Sequence, residues 1–361
     1  MDALNPIDRS APSLAAAFRH DLDAIAIALI SAFDLRFTQG VPNLSEPLPR
    51  WLDFRFRHVE PKPRLVAFSD NVRRSTLAPE ARRALLPFLE RVTRGDDINP
   101  YQGRGLKLRH DSSWLEHANR TDYLFAAWGI LHFHLSEEPI PLGQYFSKAA
   151  DWLAFAIVND QEMALIDVRR HPGREGFSDP ALLETVARNW PDFMDRFRVN
   201  RPPTAERPLT QAEIHHLRSH GANAPFVYKG HSYIGPGGGY TSAGMSMNTT
   251  VAMAHIVRTF EPLAETVWMP DGPYRSHGAV AQIAEPSFSL RLYEDGLGIC
   301  EERSRTLFVQ PPGSNVVTRD LRWLSNLIVP PWALSEVVKR KDHFDALFCE
   351  PPAKSPANDS E

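Results

Sequence analysis

The stretch Trp128-Gly129-Ile130-Leu131-His132-Phe133-His134-Leu135 decides how the chain is read. As a β-strand, its side chains alternate between two faces. Leu131, Phe133 and Leu135 then share the core face. Ile130, His132 and His134 share the other, which sets two imidazoles side by side.

Downstream, residues 152–158 and 163–169 read as a hairpin around Asn159-Asp160-Gln161-Glu162. Its second strand runs into Asp167-Val168-Arg169-Arg170-His171, a second basic cluster. A helix follows, with Asp179 as cap, Pro180 in the first turn and Leu182, Leu183, Val186 and Trp190 inward; Pro191 ends it. Upstream, residues 114–127 read as a helix leading into the histidine strand, and residues 96–113 as a polar loop. Residues 79–93 form a helix stopped by Gly95. Trp51–Val59 alternates Leu52, Phe54 and Phe56 with Asp53, Arg55 and Arg57. With Arg64–Ser69 beyond Pro61-Lys62-Pro63, this predicts a second hairpin. Residues 11–34 carry apolar residues at helical spacing.

Asn200–Pro208 is polar and proline-rich, so 201–208 is the expected linker between a domain at 1–200 and a smaller one at 209–350. Thr210 and Glu213 then form a capping box, Leu209 and Ile214 a hydrophobic staple, and Gly221 a helix stop. Pro225–Tyr228 and Ser232–Ile234 flank a tight turn at Lys229-Gly230-His231. A glycine-rich loop leads to a helix near 249–262. Phe288–Leu292, Leu297–Ile299 and Thr306–Val309 predict a small sheet turning at Asp295-Gly296, and a helix near 332–347 closes the fold. Residues 351–361 are polar and proline-containing, and disorder is expected there. The fold class is therefore α+β: N-terminal helices with an antiparallel sheet, then a second, smaller α+β domain. This order resembles that of compact bacterial ribonuclease toxins, as an architecture only; no motif specific to them is matched and no residue role is carried over.

Composition narrows the functional classes. The chain has 361 residues and a formal net charge of −4, which argues against coating nucleic acid through bulk charge. No apolar run reaches the length of a membrane helix, and no basic start precedes a compact apolar block, so no membrane partner and no secretion signal are expected. The two cysteines, Cys300 and Cys349, lie far apart in sequence; they suggest no disulfide framework and fit a reducing cytoplasm. There is no Gly-x-Ser-x-Gly elbow, no P-loop and no His-Glu-x-x-His run.

What remains is a kit for phosphodiester cleavage without metal or cofactor. Histidines suit the acid and base roles because they titrate near neutrality, and arginine forks match phosphate oxygens. His132, His134, His171 and Arg170 are the candidate catalytic residues, and Arg169 a phosphate contact. Lys107 and Arg109, in the cluster Arg104–His110, extend a nucleic-acid path. A further cluster, Arg50, Arg55, Arg57, Lys62 and Arg64, reads as a solvated face. Gly237, Gly238, Gly239 and Thr241 lie in the loop Gly235–Gly244, where free backbone N–H groups would cradle an anion. The expected activity is a cytoplasmic nuclease of toxin or defence type acting on RNA. The alternatives are a non-catalytic protein- or nucleic-acid-binding protein and a metal-dependent hydrolase in which His132 and His134 are joined by Asp167, His110 or His171 around zinc or manganese. His216 and His220, four apart on the capped helix, could face one way; near a helix end they read as surface histidines.

Overall fold

The computed structural model describes residue 10 and residues 12–38, 46–74, 77–108, 120–200, 207–309 and 316–349. It is an α+β protein whose ten described strands are β1 Leu65–Phe68, β2 Leu131–His134, β3 Trp152–Val158, β4 Glu162–Arg170, β5 Arg198–Val199, β6 Phe226–Tyr228, β7 His231–Tyr233, β8 Phe288–Tyr293, β9 Gly296–Glu301 and β10 Thr306–Phe308. Contacts divide the chain into two units. A terminal unit comprises Met1–Gln39, Glu46–Leu52 and Val251–Glu361; a mid-chain unit comprises Gly40–Ser45 and Asp53–Thr250. This differs from the split expected at 201–208. The physical reason is strand pairing, because β5 before that segment pairs with β7 beyond it. Residues 201–206 and 350–361, with the expected linker and tail, lie outside the described residues.

In the mid-chain unit a four-stranded sheet has the order β1–β4–β3–β2. The meander β2–β3–β4 is antiparallel, as expected, but β1 joins it parallel to β4. Both faces are covered. Leu131, Phe133, Leu135, Ala154, Leu165 and Val168 pack with Leu85 and Phe88 of helix Pro79–Arg94. Ile130, Leu153, Phe155 and Ile166 pack with Leu182, Leu183 and Val186 of helix Ala181–Asn189. The expected alternation in β2 is therefore present, but the face carrying the histidines is a second core layer. Helix Pro79–Arg94 stops at Gly95, whose φ of +84° and tight approach to Pro63 exclude a side chain. A second sheet has the order β5–β7–β6, with Lys229 and Gly230 at positive φ in its tight turn.

The predicted strand at 51–59 is instead part of helix Pro47–Arg57. Leu48, Trp51 and Leu52 repeat at helical spacing and are buried, and Asp53 grips Arg57 across one turn at 2.8 Å. The period-two pattern in the same residues is incidental. The arginines of this region do not form a solvated face. Arg57 also donates to the Gly105 carbonyl, and Arg64 donates to the carbonyls of Asn159 and Glu60. Buried guanidinium forks here satisfy loop carbonyls that would otherwise lack partners.

In the terminal unit, β8, β9 and β10 form the expected meander. The buried Asp21 carboxylate on helix Leu14–Ala32 accepts the Leu290 N–H at 2.9 Å. The reading of Cys300 and Cys349 as unpaired is corrected, because they form a disulfide. Phe348 bridges to Leu292 of β8, and the Cys349 N–H donates to the Leu292 carbonyl, which brings Cys349 to the neighbouring β9. No helix among the described residues is long and apolar enough to cross a membrane.

Candidate functional site

Strand register determines which candidate residues meet. Across the sheet, His132 pairs with Phe155 and Phe155 with Asp167; His134 pairs with Leu153 and Leu153 with Arg169. Paired residues share a face, so Asp167 and Arg169 lie on the histidine face, two strands away from the imidazoles. A β-bulge is responsible. Ala156 pairs with Leu165 and Phe155 with Asp167, leaving Ile166 as the extra residue. One inserted residue inverts the parity of everything after it. Arg170 consequently pairs with Trp152 on the opposite face, its guanidinium 5.3 Å from that ring centroid. The expected convergence of Arg170 with the histidines does not occur.

Three imidazoles do converge. The His132 and His134 ring centroids are 6.0 Å apart, and His134 and His171 are 5.6 Å apart. Their environments differ. His132 is buried and packs against Phe177 at 5.1 Å and Phe155 at 6.4 Å. Burial pushes its pKa below the ordinary imidazole value, partly offset by the Asp122 carboxylate. His132 is thus part of a core, not a solvent-facing acid or base. His134 is partly buried; desolvation, then the neighbouring His132 and His171 rings, push it down to about 3. The Ala150 N–H approaches its Nδ1 at 3.4 Å, a contact that needs that nitrogen unprotonated. His171 follows β4, is exposed, and flanks Phe177 at 5.8 Å.

Arg169 is engaged by two carboxylates, Asp167 at 2.7 Å and Asp179 at 2.6 Å, which raise its pKa against the opposing effect of burial. Its charge is locally compensated, so it is not an unengaged phosphate clamp. Among the described residues no group of three His, Cys, Asp or Glu side chains is placed to hold a metal ion, and His132, His134 and Asp167 are no exception. Asp167 spends one oxygen on Arg169 and the other on the Val168 N–H.

The glycine loop also departs from expectation. A Cβ on Gly235 would lie 2.1 Å from the Ala127 carbonyl oxygen, and one on Gly237 would lie 2.2 Å from that of Phe125. These glycines let the loop cross the end of helix Tyr123–Trp128, where carbonyls lack helical partners. The Gly239 N–H donates to the Ala126 carbonyl and the Gly238 N–H to that of Gly235, both at 2.8 Å. The Thr241 N–H donates to the Met245 carbonyl, and its hydroxyl accepts from the Met245 N–H. The Gly238, Gly239 and Thr241 donors expected to cradle an anion therefore serve the fold. Beside the loop is a cavity of about 320 Å³ walled by Trp128, Pro225, Tyr233 and Ile234, with no charged side chain in its lining.

Lys107, on helix Gly105–Leu108, sits 3.9 Å from the Tyr145 ring centroid. Burial raises the Tyr145 phenol pKa, with Asp97 adding to the shift. Arg109 and His110 lie outside the described residues. The sequence reading overlooked Phe177, which covers His132 and flanks His171, and Asp122. The latter caps helix Tyr123–Trp128 by accepting from the Leu124 and Phe125 N–H groups. Thr121-Asp122 before an apolar run was the available signal for that cap; nothing in sequence marks Phe177. Comparison with known protein families, curated proteins and solved structures finds no match to this chain.

Proposed function

We propose that the mid-chain unit is a metal-independent nuclease acting on RNA at the end of the sheet where His134 and His171 meet. The observation that carries this reading is their ring separation of 5.6 Å, with one ring exposed and the other partly buried. Neutral His134 takes the proton of a ribose 2′-hydroxyl. The P–O2′ bond forms as the P–O5′ bond breaks, and His171 acts as the general acid that gives a proton to the departing 5′-oxygen. The products are a 2′,3′-cyclic phosphate and a 5′-hydroxyl. An imidazole held near 3 is a weak base, but a phosphate anion seated beside it favours protonation and raises it. His132 supports the two rings from within the core.

The test incubates labelled RNA and DNA with wild type, His134→Ala, His171→Ala and His132→Phe, each with and without EDTA. EDTA-resistant RNA cleavage that falls by about 10²- to 10⁴-fold in the first two variants supports the reading. Cleavage that EDTA abolishes, or that survives in both, refutes it. A second reading is a non-catalytic nucleic-acid- or protein-binding unit. Its favouring observation is the commitment of Arg169 to Asp167 and Asp179. RNA retention without cutting is the result it requires.

A further inference from the structure

We propose that His216 and His220 form a site for a late first-row divalent ion such as Zn²⁺, Ni²⁺ or Cu²⁺. The two histidines stand four residues apart, at the end of helix Gln211–Ser219 and on its C-cap. Both are exposed, and their ring centroids are 4.4 Å apart. One ion can reach both rings, because metal–imidazole bonds are about 2.0–2.1 Å long.

One nitrogen of the His220 ring is already engaged by its own helix end. His220 Nδ1 lies 2.9 Å from the His216 carbonyl oxygen. Nδ1 also lies 3.0 Å from the Ser219 hydroxyl, which donates to the same carbonyl; with Nδ1 engaged there, Nε2 is the nitrogen left for a metal. A backbone carbonyl behind the ring is the usual outer partner of a ligating histidine.

The backbone beneath the pair is anchored at both ends. The capping box joins Thr210 and Glu213, and Arg207 holds Glu213 at 2.6 Å. On the inner side, Ile214 is buried, and buried Arg218 donates to the Phe177 carbonyl at 2.6 Å while its guanidinium lies 4.0 Å from the Trp128 ring centroid. The pair is therefore carried on a fixed element, which lowers the ordering cost of chelation. Two protein ligands leave the remaining coordination positions to water or to a further ligand. Nitrogen donors select late transition ions over Mg²⁺ and Ca²⁺.

This site is separate from the His134–His171 pair, and its test does not depend on nuclease activity. The full chain is titrated with Zn²⁺, Ni²⁺ and Mg²⁺ by calorimetry, alongside His216→Ala, His220→Ala and the double variant, with circular dichroism confirming the fold. One equivalent of Zn²⁺ or Ni²⁺ is expected, with no Mg²⁺ binding. Either single variant weakens binding by more than about tenfold, because a chelate becomes a single bond. Binding also weakens as pH falls, since protons compete for the ring nitrogens. His134→Ala/His171→Ala retains the equivalent. No binding at millimolar Zn²⁺, or unchanged binding in the His216/His220 double variant, overturns the proposal.

Discussion

Mild acid should destabilise the mid-chain unit through two half-buried imidazoles. Burial holds His134 and His58 at about 3 in the folded protein; unfolded, each returns to about 6.5. The His58 shift is due first to desolvation and then to Arg55, Lys107 and Arg64. Between these values the unfolded chain binds more protons, so stability is complete above about pH 6.5 and falls as pH drops towards 3. From pH 7 to pH 5 each ring costs at most about 2 kcal/mol, and the pair about 4 kcal/mol. That is a large share of the 5–15 kcal/mol typical of a domain. Ordinary carboxylates remain charged over most of this interval, which isolates the histidines. The assay is urea unfolding at pH 7 and pH 5 for wild type and for His58→Gln/His134→Gln, whose amides do not titrate. Wild type should lose up to about 4 kcal/mol more than the variant. Identical pH dependence in both would refute the assignment of these rings as desolvated and neutral.

Three further outcomes follow from the same geometry. Gly237→Ala places a Cβ 2.2 Å from the Phe125 carbonyl oxygen and 2.4 Å from that of Ala126; it should cost about 3 kcal/mol or more in urea unfolding. Gly143→Ala is a poor control because its φ is +76°, whereas Gly278→Ala meets nothing within 4 Å and should be nearly neutral. Loss of the Cys300–Cys349 bond, which spans 49 residues, should lower stability by about 4 kcal/mol on the chain-entropy estimate; a Cys300→Ser/Cys349→Ser midpoint equal to that of wild type would contradict it. Arg170→Ala, on the face opposite the histidines, should change RNA cleavage by less than about threefold.

The sequence carried much of the fold and less of the site. Strand β2 was legible from period-two alternation and the β3–β4 hairpin from the Asn159 turn, whose Oδ1 accepts from the Gln161 and Glu162 N–H groups. The capping box at Thr210–Glu213 and the Gly95 stop were legible because each is a local device. Helix Pro47–Arg57 was misread because Leu52, Phe54 and Phe56 satisfy a strand period within a segment that also satisfies a helical one. Helix Val316–Ile328 was not anticipated. The bulge at Ile166 leaves no mark in a single sequence, yet it determines which face Arg170 takes. Likewise, a bond across 49 residues and the carbonyl partners of Arg57 and Arg64 depend on tertiary neighbours. Alternation identified the face His132 occupies, but not that Phe177 and helix Ala181–Asn189 cover it.

Single-turnover cleavage of labelled RNA in EDTA by wild type and His171→Ala tests the central proposal most directly. A rate ratio of about 10²–10⁴ is predicted. Equal rates, or no cleavage by the wild type, would contradict a reactive site built from His134 and His171.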